Sequence, residues 1–258
     1  MTSGDAGREP AAASDGAARR AELGEALEQV EERIARACTA AGRAREDVTL
    51  IVVTKTHPAR DVRILTELGV RHVAENRDQE AAAKAESCAG LPLSWHFVGQ
   101  LQTNKVRSVL GYADYVHSVD RARLVRSLST AAEAREGGEV SCLIQVALEK
   151  EGALQGAEGG RGGAAPEEVM GLAEQITRAP ALRLAGLMTV APLGGAYAGR
   201  PDAAFARLSE ISRALREAVP GANMVSAGMS ADLEQAIAAG ATHVRVGSAV
   251  LGVRPPLR

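Results

Sequence analysis

The chain has 258 residues, 46% of them hydrophobic and 24% charged, with 30 basic against 32 acidic side chains. That length suits one α/β barrel, and so even a balance argues against partners held by charge, nucleic acid and anionic membranes among them. No apolar run reaches the ~20 residues of a membrane span, and the N-terminus lacks the apolar stretch of a secretory signal. Aromatic residues make up 2% of the chain, too few for a platform that stacks single-stranded bases. Cys38, Cys88 and Cys142 are widely spaced and form no Cys-x-x-Cys, which points to a reducing, cytoplasmic setting without a disulfide framework.

In chain order, residues 1–16 are mostly Ala, Ser, Gly and Asp without periodicity and read as a disordered tail. Residues 17–258 read as one domain. Leu23, Leu27, Val30, Ile34 and Cys38 recur at helical steps, predicting an extra N-terminal helix over 17–41 that stops at Gly42. Short apolar runs then alternate with amphipathic segments. Strands are predicted at 49–54, 70–74, 94–98, 115–118, 140–147, 182–188, 223–226 and 243–246. Helices are predicted near 59–68, 76–88, 102–110, 120–135, 166–178, 201–218 and 230–239, with a short one after Gly247. Eight strand–helix units in about 210 residues predict a (β/α)8 barrel of the TIM type, since a doubly wound sheet normally has fewer strands. Only the Gly-rich stretch 149–166 breaks the rhythm. It reads as a flexible loop after the fifth strand, on the face where barrels carry their sites.

The chain has four lysines, Lys55, Lys84, Lys105 and Lys150, so chemistry that needs an amine has few candidates. Lys55 ends the apolar run LIVVTK at the predicted barrel mouth. An apolar mouth disfavours the ammonium, and the neutral amine can attack an aldehyde to form a Schiff base. A strand-end lysine reaching into solvent is the plain alternative. After strand 7 comes Ser226-Ala227-Gly228-Met229-Ser230, and after strand 8 Gly247-Ser248, each leading into a helix. Two such loops at these strand numbers suit a phosphate, although Ser and Gly also serve as ordinary cap and turn residues. Arg245 lies within strand 8. By alternation it shares a face with His243 and Gly247, either at a functional mouth or paired with a carboxylate among the helices. His57, His72, His96, His117 and His243 form no metal-binding spacing and read as core or mouth histidines.

Taken together these features resemble a fold-type III pyridoxal phosphate (PLP) site. More specifically the chain resembles the YggS/PROSC family of PLP-binding homeostasis proteins, with an alanine racemase-like barrel. The matching phrases are VTKTHP, AENRDQE, WHFVGQLQTNKV, HSVDR, LRLAGLM and SAGMSADLEQAIAAGATHVRVGSAVLG, followed by Arg254, in order across most of the chain. The resemblance implies PLP on Lys55 as the Schiff-base lysine. It implies a phosphate cup of Ser226, Gly228, Met229, Ser230, Gly247 and Ser248, with Arg245 facing the pyridine nitrogen and Asn76 and Met188 lining the ring pocket. The usual Gly-Glu-Asn-Tyr reads Ala74-Glu75-Asn76-Arg77 here.

An arginine at the pyridine nitrogen leaves the ring a weaker electron sink. Alanine racemase draws its second base from a β domain, for which no counterpart is expected after the eighth unit. The expectation is therefore a carrier that buffers and delivers PLP, with apo-PLP enzymes as partners, no metal, and a monomeric or weakly dimeric state. A PLP-dependent racemase is the alternative, and a PLP-free Schiff-base aldolase or phosphosugar barrel a third reading.

Overall fold

The computed structural model describes residues 9–135, 137–151 and 162–252, the side chains of 9–14 and of Lys150 excepted. A long helix α1 (Glu9–Ala40) precedes eight parallel strands: β1 (Thr49–Val53), β2 (His72–Glu75), β3 (Ser94–Phe97), β4 (Tyr115–Val119), β5 (Val140–Gln145), β6 (Leu182–Met188), β7 (Met224–Ser226) and β8 (His243–Val246). They hydrogen-bond in sequence order, and β8 pairs with β1 to close the barrel, from Thr49 opposite His243 to Val52 opposite Val246. The helices between and after the strands are α2 (Ala59–Glu67), α3 (Asp78–Ser87), α4 (Val106–Leu110), α5 (Ala122–Glu133), α6 (Val169–Arg178), α7 (Pro201–Ala218), α8 (Leu233–Ala238) and α9 (Ser248–Leu251). The TIM-type (β/α)8 fold expected from the sequence is the one observed.

Each helix turns an apolar stripe toward the strands. In α7 the buried residues are Ala204, Phe205, Leu208, Ile211, Ser212 and Leu215, the spacing of one helical face. Two large apolar clusters fill the layer between strands and helices. One is built around α4–α7 and the other around α1–α3, α8 and α9. Predicted helix starts at 102 and 166 are taken by short 3-10 turns, Thr103–Lys105 and Pro166–Glu168, that lead into α4 and α6.

One expectation is corrected. Residues 9–16, read as part of a disordered tail, are helical and extend α1 by two turns. Alanine costs little side-chain entropy in a helix, so Ala-rich sequence without a hydrophobic stripe can still propagate one. Asp15 also meets Arg60 of α2 at 3.1 Å. The rest of the expected tail, residues 1–8, and most of the Gly-rich loop, residues 152–161, lie outside the described residues.

Arginines of α1 and of the turn after it bind that helix to the barrel. Arg19 grips Asp61 of α2 and the carbonyl of Leu251. Arg33 holds Glu234 and the carbonyl of Ser230, and Arg43 the carbonyls of Ile237 and Ala241. The extra helix thus rests on the elements that follow β7 and β8.

Candidate functional site around Lys55

Lys55 follows β1 in a tight turn. The His57 amide donates to the Thr54 carbonyl at 3.1 Å, and Thr56 between them has φ of 68°. A threonine in the left-handed region is strained and persists only where its surroundings fix it. Here the Thr56 amide donates to Glu80 Oε2 at 3.3 Å. The Thr54 carbonyl also accepts from Lys84 Nζ at 2.7 Å, and Lys84 pairs with the fully buried Glu75 at 2.5 Å. Burial pushes the Glu75 carboxyl up, and the Lys84 ammonium opposes that shift. This ion pair between β1, β2 and α3 fixes the base of the Lys55 turn.

On the other side, β7 yields to the loop 227–232. Ala227 N donates to His243 O at 3.0 Å and Arg245 N to Gly228 O at 2.9 Å, so the loop continues the ladder beyond the last residue of β7. Gly228 has φ of 88°, and a Cβ there would come within 2.6 Å of Ala236 Cβ, so glycine alone suits the position. Asp232 Oδ1 accepts from the Met229 amide at 2.6 Å and fixes the loop's exit into α8. Gly247, between β8 and α9, lies against the β1 backbone; a Cβ there would stand 3.2 Å from Val53 O.

These loops close a cavity of about 260 Å³. Val53, Lys55 and His57 line it from β1, Met229, Ser230 and Ala231 from the β7 loop, and Arg245, Gly247 and Ser248 from β8, with Gly252 at the edge. Six residues singled out in the sequence therefore meet: Lys55, Met229, Ser230, Arg245, Gly247 and Ser248. Ser226 and Gly228 stand behind the lining. Ser226 Oγ accepts from Arg245 Nη1 at 2.6 Å, and the Gly228 carbonyl takes the Arg245 amide. Asn76 and Met188 are outside the lining. Met188 packs with Leu143, Ala185 and Met224 inside the barrel. Asn76 keeps a buried Oδ1 without a hydrogen-bond partner.

Arg245 is 4% exposed, and its second nitrogen donates to Thr189 O at 2.8 Å. Its partners are thus a hydroxyl and a carbonyl, not a carboxylate among the helices. Burial lowers its pKa to about 10, which keeps the guanidinium charged at neutral pH. Val244 and Val246, on the opposite face of β8, are fully buried against the helices, as alternation requires.

His57 belongs to the lining and carries no signal in the sequence beyond its place two residues after Lys55. Its Nδ1 lies 3.6 Å from Asp61, which Arg19 also holds. Burial lowers the His57 pKa; Asp61 opposes this, while Arg19 and Lys84 add to it. Among the described residues no three His, Cys, Asp or Glu side chains converge as a metal site, and no helix is long and apolar enough to cross a membrane.

A family profile described as alanine racemase, N-terminal domain, matches residues 26–255. The pyridoxal phosphate homeostasis protein of Pseudomonas aeruginosa is 40% identical over 90% of this chain and 96% of its own. That of Escherichia coli is 34% identical over 88% and 95%. The solved structure of PipY from Synechococcus elongatus with PLP bound is 32% identical, has a TM-score of 0.74, and is matched over 89% of this chain and 100% of its own. Alanine racemase from Corynebacterium glutamicum, 14% identical with a TM-score of 0.58 over 63% of its length, shares the fold. A closed eight-stranded barrel, a lysine turn faced by two serine-bearing loops, and these relatives agree: the chain belongs to the family of pyridoxal phosphate homeostasis proteins, built on the alanine racemase N-terminal barrel.

Proposed function

We propose that the chain binds pyridoxal 5'-phosphate in the Lys55 cavity and acts in the cytoplasm as a carrier that holds, buffers and hands on the cofactor. The observation that carries this reading is the convergence of Lys55, Arg245 and the loops after β7 and β8 on one cavity. The residues present fit the group. The cavity volume of about 260 Å³ falls just below the range of drug-sized ligand sites, roughly 300–1,000 Å³, which suits a small cofactor. Ser230 and Ser248 offer hydroxyls to a phosphate, with Gly247 and Gly228 leaving room for close backbone approach. Arg245 presents a fixed cation to an unprotonated ring nitrogen.

The cofactor supplies an aldehyde. Lys55 would be the amine that holds that aldehyde covalently, with Ser230 and Ser248 at the phosphate and Arg245 at the ring nitrogen. The strained, pinned Thr56 turn aims the amine, and the buried Lys84–Glu75 pair keeps that turn in place. Two features favour carriage over turnover. Arg245 stays charged, so it withholds the proton that would make the ring a strong electron sink, which disfavours transamination. Among the described residues, Lys55, His57 and Arg245 are the titratable side chains in the lining; Tyr112, Tyr115 and Tyr197 are elsewhere. Apo-PLP enzymes are the proposed recipients.

The test is the visible spectrum of the purified protein with added PLP, with and without borohydride, for the natural chain and Lys55→Ala. The expected result is a band absent from the variant and, after reduction, one pyridoxyl phosphate on the peptide carrying Lys55. Absence of the band in the natural chain overturns PLP binding. Steady loss of α-deuterium from a labelled amino acid, at rates of a working enzyme, overturns the carrier and favours the racemase.

A further inference from the structure

Four of the five histidines begin or occupy strands, and three of them form a continuous hydrogen-bonded column through the barrel interior. His72 Nδ1 meets His96 Nε2 at 3.0 Å, His96 Nδ1 meets His117 Nε2 at 2.8 Å, and His117 Nδ1 meets Ser226 Oγ at 3.1 Å. Ser226 Oγ in turn accepts from Arg245 Nη1. His72, the first residue of β2, is half-buried at the N-terminal rim; His96 and His117 are fully buried. The column therefore runs from one end of the barrel to the arginine that lines the cavity at the other.

We infer that His72, His96 and His117 are positioning residues. They fix the His117 tautomer and, through Ser226, hold Arg245 in the pose that meets the bound cofactor. A neutral imidazole has one N–H and one lone pair, so each histidine can donate to only one of its two neighbours. In a chain of three, that choice is shared. Either every N–H points toward Ser226, or every one points toward His72 with the Ser226 hydroxyl donating to His117. Ser226 receives Arg245 in both cases, but only in the first does it keep its own hydrogen for another acceptor. Changing the polarity at one ring changes it at all three.

The surroundings keep the column uncharged. Its facing groups are Tyr115, stacked on His96 with centroids 4.3 Å apart, His243 and Arg245 from β8, and Asp114 near His72. Burial and then the neighbouring rings depress His96; burial and then Arg245 depress His117. His243 is bonded to Thr242 Oγ1 at 2.8 Å and lies beside the column without extending it.

This inference rests on the proposed PLP site only for its second test. The first uses the full chain without cofactor, labelled with 15N-histidine. His96 and His117 are expected to show one neutral tautomer each between pH 6 and 8. His72→Gln, at the half-buried rim, is expected to move the ring-nitrogen resonances of both His96 and His117. Averaged tautomers, a charged His117, or a His72→Gln effect that stops at His96 overturns the column. In the second test, His117→Leu is expected to shift the visible band of the PLP-loaded protein and its pH midpoint, and to weaken PLP roughly tenfold, as losing a bond to a charged group's partner does. His117→Asn, which keeps an amide within reach of Ser226, is expected to restore the band. An unchanged band and midpoint in His117→Leu overturns the positioning role, and if that variant does not fold, the same readout on His72→Gln decides. No band in the natural chain would instead overturn the PLP reading and leave the NMR result standing.

Discussion

The barrel interior and the layer outside it are built from opposite materials. Between strands and helices lie two broad apolar clusters, with Leu65, Leu124, Leu128, Ile176 and Phe205 almost or wholly hidden from water. Inside the strands the apolar cluster is small, Leu143, Ala185, Met188 and Met224, and the space beside it holds His96, His117, Ser226 and Arg245. Barrels of this type usually fill their interior with branched aliphatic side chains. Here the outer layer supplies the hydrophobic stabilisation, which leaves the interior available for hydrogen bonds that aim groups at the mouth. Buried polar groups hold such positions only when each is satisfied, and the distances of 2.6–3.1 Å along the column meet that condition.

If this division is right, substitutions in the two regions separate function from stability. The largest effect belongs to Lys55→Ala, expected to abolish the borohydride-trapped adduct entirely while moving folding stability by about 1 kcal/mol or less. Spectroscopy and chemical denaturation check the two halves. Phe205→Ala is the reverse case. It empties part of the outer cluster and is expected to cost about 3–5 kcal/mol in urea unfolding, with the band position of the folded, loaded protein unchanged. A large loss of stability in Lys55→Ala, or a shifted band in Phe205→Ala, would break the comparison.

Acid tests the interior as a whole. Burial lowers the pKa of His57, His72, His96, His117 and His243, the last to about 4. A histidine with a folded-state pKa below its unfolded value of about 6.5 binds its proton more readily in the unfolded chain. Stability is therefore fully present above about pH 6.5 and falls as pH drops toward 4. At ~1.4 kcal/mol per unit, His243 alone accounts for about 3 kcal/mol of that loss. Urea midpoints between pH 8 and 4 measure it, and His243→Asn is expected to flatten the decline. The smallest effect is at the rim of the cavity. Ser248→Ala, at an exposed position, is expected to weaken PLP about three- to tenfold with no change in Tm.

Much of this was legible before the fold was known. The alternation of apolar runs with amphipathic segments fixed the strand count, because a strand buried on both faces must be apolar and a covering helix must be striped. Leu182–Met188 and His243–Val246 match their predicted spans. Lys55 and the two serine-bearing loops were visible because a barrel puts strand ends at one face. The start of α1 was not legible, since alanine-rich sequence carries no stripe to mark it. His57 was legible only as a core or mouth histidine; its contact with Asp61, which Arg19 holds from a helix far away in the chain, was not.

The sequence by itself determined the periodicity, the order of elements and the types of residue at the mouth, since these follow from local spacing. Tertiary structure alone decided that Ser226 and Gly228 would stand behind the cavity and that Met188 would pack within the barrel. It also decided that Lys84 would meet Glu75 beneath Lys55. The histidines show the reason most plainly. His72, His96 and His117 sit on three successive strands, whose pairing register brings their rings together, and closure of the barrel then brings Ser226 of β7 to His117.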